Sequence, residues 1–295
     1  MKIFRILSLL LFTACLVFQV QAQPAYLPLS FTRSQAPVIA VTINGTSIKC
    51  IIDTGSDISS LTTPIATQLG LISTSSPNVT LTSISGTRNF STAQIENISI
   101  GSVTIHNAPV IVKDLAAQGI DSEVKGIIGQ DILRQFNYLL DYKNKIFCAY
   151  SLQDPVSPTS GAKIPFDDRN SQIILNTTLP QYGEAVTLKL DSGTPLLVLF
   201  CTASKCRKFE KGERIRLFVG TTDTEVAVVN TLSVGSTTLR NLKAALITEE
   251  RYIAGRTESG LLPARVFSNV LVNNKEHFVI LNGRLQSEFL GKLKP

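Results

Sequence analysis

Histidine is almost missing from this chain, which holds only His106 and His277 among 295 residues. Neither has a cysteine or acidic partner at metal-ligand spacing, so a histidine-built metal centre is not expected. No Gly-x-Ser-x-Gly stretch occurs, which removes the nucleophile elbow of the serine hydrolases. Charge is sparse at 17% of residues, and although the net charge is +6 and the pI about 9.1, the basic residues are dispersed. One dense run, residues 205–216, carries Lys205, Arg207, Lys208, Lys211, Arg214 and Arg216 but also Glu210 and Glu213. Interleaved acids weaken the field that nucleic acid binding needs, so the run reads as a solvated surface loop. After residue 20 no apolar run approaches the roughly 20 residues of a spanning helix. No nucleic acid partner, membrane span, metal or other cofactor is therefore expected.

What is present fits a β protein. Apolar residues make up 44% of the chain, Ser and Thr abound, and 18 Gly and 13 Pro punctuate it at short intervals. At the start, Lys2 and Arg5 precede an apolar run over residues 6–20 that ends in Val20-Gln21-Ala22, the pattern of a secretory signal cleaved near Ala22. A secreted or periplasmic protein is the expectation, with lipoprotein anchoring at Cys15 as a minor alternative. Four cysteines lie beyond residue 22. Cys201 and Cys206 enclose four residues, so a local bridge is geometrically easy, whereas Cys50 and Cys148 are left open between a long-range bridge and buried thiols.

The chain repeats itself. Asp53-Thr54-Gly55-Ser56, closing an apolar run, returns as Asp191-Ser192-Gly193-Thr194 after Leu190, 138 residues later. Ile98-Ser99-Ile100-Gly101-Ser102 returns as Leu232-Ser233-Val234-Gly235-Ser236 at an offset of 134, Gly126-Ile127-Ile128-Gly129 as Gly260-Leu261-Leu262-Pro263 at 134, and Asn137-Tyr138-Leu139-Leu140 as Asn269-Val270-Leu271-Val272 at 132. Blocks kept in order at nearly constant spacing mark an internal duplication. The expected parts are a signal at 1–22, lobes at 23–152 and 166–295, and a Pro/Ser/Gly linker at 153–165. Within a lobe the pattern is strands: residues 38–43 and 47–52 flank Asn44-Gly45, the strongest short hairpin signal, and the second strand delivers Asp53. A short helix is expected over 130–136.

A single Asp-Ser-Gly is most simply a turn, since all three residues favour turns. Two copies in register suggest instead a pair of carboxylates close enough to share one proton. In that arrangement one aspartate acts as base on a water while the other donates to a substrate carbonyl.

At these residues the chain resembles the pepsin and retropepsin superfamily of aspartic proteases, whose signature is an apolar run, Asp, Thr or Ser and Gly, followed in the same lobe by two apolar residues and Gly. The resemblance covers both lobes. It implies an all-β, bilobal acid-protease fold, two homologous β-barrel-like lobes with a cleft between them, acting as a monomer on peptide or protein substrates. It also implies that Asp53 and Asp191 are the catalytic pair, that Thr54 and Ser192 bond across the lobes, and that Gly55 and Gly193 let the loops approach. The hydroxyls of Ser56 and Thr194 would donate to the outer carboxylate oxygens and pull the working pH down towards that of pepsin. A flap hairpin is implied at 80–92, with Ser85, Gly86 and Thr87 at its tip but without the tyrosine usual in pepsins. Its second-lobe counterpart would be 216–229, and Cys201–Cys206 would match a small disulfide loop. Pro263 departs from the pattern, because Pro fixes its φ and lacks an N–H; distortion of the second lobe is expected there. A decayed, peptide-binding relative and a homodimer are the alternatives.

Overall fold

The computed structural model describes residues 25–71, 78–83, 86–154, 156, 158–169, 171–182, 184–207, 209, 211–216, 223–281 and 284–285. The signal-like segment, Cys15, Ser85 and residues 217–222 lie outside them. Strands dominate, and each half closes a ring of six. In the first half the ring strands are β1 (Pro37–Ile43), β2 (Thr46–Ile52), β3 (Ser60–Thr62), β4 (Gly86–Ile100), β5 (Val103–Lys113) and β6 (Val124–Ile128). In the second they are β7 (Gln172–Leu179), β8 (Glu184–Asp191), β9 (Leu197–Phe200), β10 (Asp223–Val234), β11 (Thr237–Ile247) and β12 (Gly260–Pro263).

The hydrogen-bonded order is β1-β2-β6-β3-β5-β4 in one lobe and β7-β8-β12-β9-β11-β10 in the other. Pairing of β1 with β4 at Thr42 and Ser99, and of β7 with β10 at Thr177 and Val234, closes each ring. The two lobes are thus the same β-barrel twice, and the bilobal acid-protease fold foreseen from the sequence is the fold observed.

Local chemistry accounts for the starting hairpin. Asn44 and Gly45 both have positive φ, 45° and 84°, as a two-residue primed turn requires, and the flanking strands pair from Ile43↔Thr46 to Val38↔Ile51. Strand β2 ends in Cys50, Ile51 and Ile52, all buried, so Asp53 emerges from a rigid strand end. Parallel pairing of β2 with β6 (Ile52↔Ile128) and of β8 with β12 (Leu190↔Leu262) sets Gly129 and Pro263 beside the two aspartate loops.

A six-stranded sheet ties the lobes together, in the order Tyr26–Pro28, Ile146–Tyr150, Asn137–Asp141, Asn269–Asn273, Phe278–Leu281, Ile164–Pro165. Its centre joins the halves directly, Leu139 opposite Leu271 and Leu140 opposite Val270. One face adds Tyr138, Leu140, Phe147, Val270, Val272 and Val279 to the common core, and the other buries Leu139, Cys148, Tyr150, Leu271, Phe278 and Ile280.

Several local expectations change. The basic run read as a loop begins in a short helix (Ala203–Cys206) and continues into the strand Lys211–Arg216, which pairs with β10. That strand lengthens the second-lobe hairpin well beyond 216–229. Within the expected linker 153–165, Pro158–Ser160 and Ile164–Pro165 are strands. Cys201 and Cys206 are bonded, while Cys50 and Cys148 are free, buried thiols in different apolar clusters. The expected helix near 130 is shorter, Gln130–Leu133.

Candidate active site

The two Asp-containing loops meet at the lobe boundary, and they interlock through the residue after each aspartate. Thr54 Oγ1 donates to the Leu190 carbonyl at 2.9 Å and accepts the Ser192 amide at 2.9 Å. Ser192 Oγ donates to the Ile52 carbonyl at 2.7 Å and accepts the Thr54 amide at 2.9 Å. Both side chains are fully buried, so these four bonds form without competition from water.

Each glycine then lies against the opposite carboxylate. A Cβ added to Gly55 would collide with the Asp191 carboxylate, and one added to Gly193 would stand 2.7 Å from Asp53 Cγ and Oδ1. Only the missing Cβ allows this approach. Asp53 Oδ1 accepts the Gly55 amide at 2.9 Å, and Asp191 Oδ1 accepts the amides of Gly193 and Thr194 at 2.7 and 3.1 Å. The structure therefore brings Asp53, Thr54, Gly55, Asp191, Ser192, Gly193 and Thr194 into one place.

The hydroxyls of Ser56 and Thr194 correct an expectation. They donate away from the carboxylates, to the carbonyls of Ile58 at 2.9 Å and Leu196 at 3.1 Å. Each closes a local turn two residues ahead, and backbone amides serve the carboxylates instead. The electrostatics change accordingly. Burial pushes Asp53 above the usual carboxylate range, opposed by the Gly55 amide, the charges of Lys189 and Lys113, and the Ser56 amide. Burial, and then the charge of Asp53, push Asp191 up to about 7. Like charges packed against one another ionise one at a time, so the raised pair passes through a singly charged state.

Two lysines near the pair went unremarked in the sequence. Lys189, on β8 and 4% exposed, binds Asp57 Oδ1 at 2.7 Å, and Lys113 ends β5 close enough for its charge to act on Asp53. Lys189 stands two residues before Asp191, so strand alternation could have flagged it as a charge on a buried face.

Pro263 causes no break. Strand β12 keeps its parallel register through Asp191↔Pro263, and Pro263 is buried at φ −67°. The reason lies in what surrounds each position. In the first lobe Gly129 threads so closely behind the loop that a Cβ would lie 2.8 Å from the Ser56 carbonyl, and its amide donates to Ser59 Oγ at 2.9 Å. Ser59 in turn donates to Asp131 at 2.5 Å. At the same offsets the second lobe has buried Leu197 in place of Ser59 and Arg265 in place of Asp131. The second lobe thus lacks the Ser59 hydroxyl that accepts the Gly129 amide, and Pro263 has no N–H that would need such an acceptor.

The flap candidate is a hairpin. The strand Asn78–Ser83 pairs with β4 from Asn78↔Ser91 to Ser83↔Gly86, with Thr82 opposite Thr87, so Gly86 and Thr87 open β4 beside the tip. Among the described residues, no group of three His, Cys, Asp or Glu side chains is placed to hold a metal ion.

A family model described as “gag-polyprotein putative aspartyl protease” matches residues 39–135, which span the first loop, the hairpin and Gly129. DNA damage-inducible protein 1 of Kluyveromyces lactis is 25% identical over 189 residues, 62% of this chain, and the chain spans 42% of that protein's length. A retropepsin-like aspartic protease from Rickettsia conorii is similar at 20% identity over 43% of this chain and 91% of its own, with a TM-score of 0.33.

Proposed function

We propose that this chain is an aspartic endopeptidase of the pepsin and retropepsin superfamily that hydrolyses peptide bonds with the Asp53/Asp191 pair. The observation that carries the reading is the reciprocal packing of Gly55 on the Asp191 carboxylate and Gly193 on that of Asp53, inside the buried Thr54/Ser192 lattice. That packing serves no apolar core. It holds two acids together at an unfavourable electrostatic cost, as a catalytic pair must be held.

In the reaction the singly ionised pair takes up a water between its carboxylates. The ionised member removes a proton as the water oxygen attacks the peptide carbonyl, and the protonated member donates to the carbonyl oxygen. Burial raises both carboxyls, the charge of Asp53 adds to the push on Asp191, Lys189 favours ionisation of both, and Lys113 favours that of Asp53. The proton belongs to the pair as a unit, one carboxylate serving as base while the other serves as acid. Collapse of the tetrahedral species returns a proton to the leaving amine. Substrate would lie extended between the lobes under the hairpin that ends at Gly86, pairing through its backbone.

We also place the protein outside the cytoplasm as a monomer, on the strength of its signal-like first 22 residues, the Cys201–Cys206 bond and the presence of both aspartates in one chain. Denatured protein incubated with the purified chain between about pH 3 and about pH 8, with and without pepstatin, tests the activity. Pepstatin-sensitive cleavage is expected. Peptide binding without cleavage at any pH would support a decayed relative instead.

A further inference from the structure

Around the paired loops, residues match across the lobe two-fold at an offset of 138: Asp53 with Asp191, Ile51 with Lys189, and Asp57 with Pro195. The pairings agree, since Ile51 lies opposite Val38 and beside Ile127 while Lys189 lies opposite Ile174 and beside Leu261. At Ile51 the first lobe is apolar, with Ala36, Val38, Leu115, Val124 and Ile127 packed together. At the matching place the second lobe buries an ammonium.

A buried ammonium is costly unless it is paired. Its partner comes from the other lobe: Asp57 Oδ1 lies 2.7 Å from Lys189 Nζ, and the same carboxylate accepts Gln172 Nε2 at 3.1 and 3.2 Å. The fold does not require this pair for joining the lobes, which the Thr54/Ser192 lattice and the shared sheet already do. Nor does the strand position require lysine, since its mate is Ile51. The ion pair flanks the aspartates on one side only, where the other side has Ile51 and Pro195.

We infer that Lys189, held by Asp57, is a positioning residue that sets the pH range in which the two aspartates share a single proton. The inference rests on the proposed function. The charged and titratable groups around Lys189 are Asp57 and Asp53 from the first loop, Asp191 from its own strand end and Lys113 from β5, with Tyr142 and Arg265 behind the pair. Asp131, on the helix after Gly129, is turned to Ser59. Of the two lysines, Lys189 acts on both aspartates and Lys113 on Asp53. A cation favours ionised carboxylates, so Lys189 lowers both steps of the titration, and Asp57 offsets part of that effect.

The test is the pH profile of kcat/KM for wild type, Lys189→Met, Lys189→Arg and Asp57→Asn, beside the carboxyl titration of Asp53 and Asp191 followed by carbon NMR. Lys189→Met should move both limbs to higher pH by about half a unit or more, and Asp57→Asn should move them to lower pH, because the same cation loses its nearest anion. Lys189→Arg should keep the wild-type profile. A purely structural clamp would lower the melting temperature of the Met and Asn variants alike and leave the limbs unmoved, or move them in the same direction; either result overturns the inference. Should Lys189→Met fail to fold, Asp57→Asn carries the test, since that side chain is half exposed, and an unmoved or raised profile overturns the inference. If wild type cleaves nothing, the proposed function fails, and the NMR titration still decides whether Lys189 governs the pair.

Discussion

At the scale of single residues, contact between a glycine and the opposite carboxylate is the site's tightest constraint. Gly55→Ala and Gly193→Ala should each lower kcat/KM by about 100-fold or more, because the new Cβ must displace the Asp191 or Asp53 carboxylate. Circular dichroism and peptide cleavage on the same preparations check this; a variant with wild-type turnover would contradict the geometry. The raised titration of Asp191 has a thermodynamic counterpart. Its carboxyl holds a proton in the fold up to about 7, whereas in the unfolded chain it loses it near pH 4. The folded state thus binds the extra proton between those values, so this residue's contribution to stability is full below about pH 4 and is lost as pH rises through about 7. Melting temperature should fall by a few degrees or more over that interval, and Asp191→Asn should flatten the fall. Both aspartates and both glycines were legible in the sequence, because the duplicated motif names them. Lys189 and Asp57 were not, since neither belongs to the motif and their 2.7 Å contact joins residues 132 apart.

At the scale of elements, duplication made the strands readable and Pro263 made one of them look damaged. Reading Gly-Leu-Leu-Pro against Gly-Ile-Ile-Gly shows a missing N–H but not the missing acceptor, because Leu197 replaces Ser59 in a different part of the chain. Pro263→Gly should therefore bring no gain in cleavage and should cost about 1 kcal/mol, through added freedom in the unfolded chain and an unmatched buried N–H. In the first lobe Ser59→Ala should cost more, about 1–3 kcal/mol, since it strips partners from both the Gly129 amide and Asp131. Urea denaturation of the two variants gives the comparison, and a reversed order would contradict the account. The Ser56 and Thr194 hydroxyls were misread for a related reason. Their direction depends on the carbonyls of Ile58 and Leu196, which the turn geometry supplies and the motif does not encode. The strand Lys211–Arg216 was hidden by its charge, although pairing with β10 needs only its backbone.

At the scale of the whole molecule, the lobes share one sheet and one catalytic pair, so neither half should function alone. Leu139 and Leu271 face each other at the centre of that sheet, and separating the halves would expose both strand edges. Residues 25–152 and 166–285 produced separately should aggregate or fail to cleave, whereas the intact chain should sediment as an active monomer. The bilobal outline was legible because four repeated blocks keep their order; the shared sheet was not, since pairing between halves leaves no periodic trace in either. The most direct test of the central claim is kcat/KM on one quenched-fluorescence peptide for wild type, Asp53→Asn and Asp191→Asn, each shown by melting to be folded. Loss of cleavage to the background rate in both variants is the result the paired site predicts, and retention of wild-type cleavage by either folded variant would contradict it.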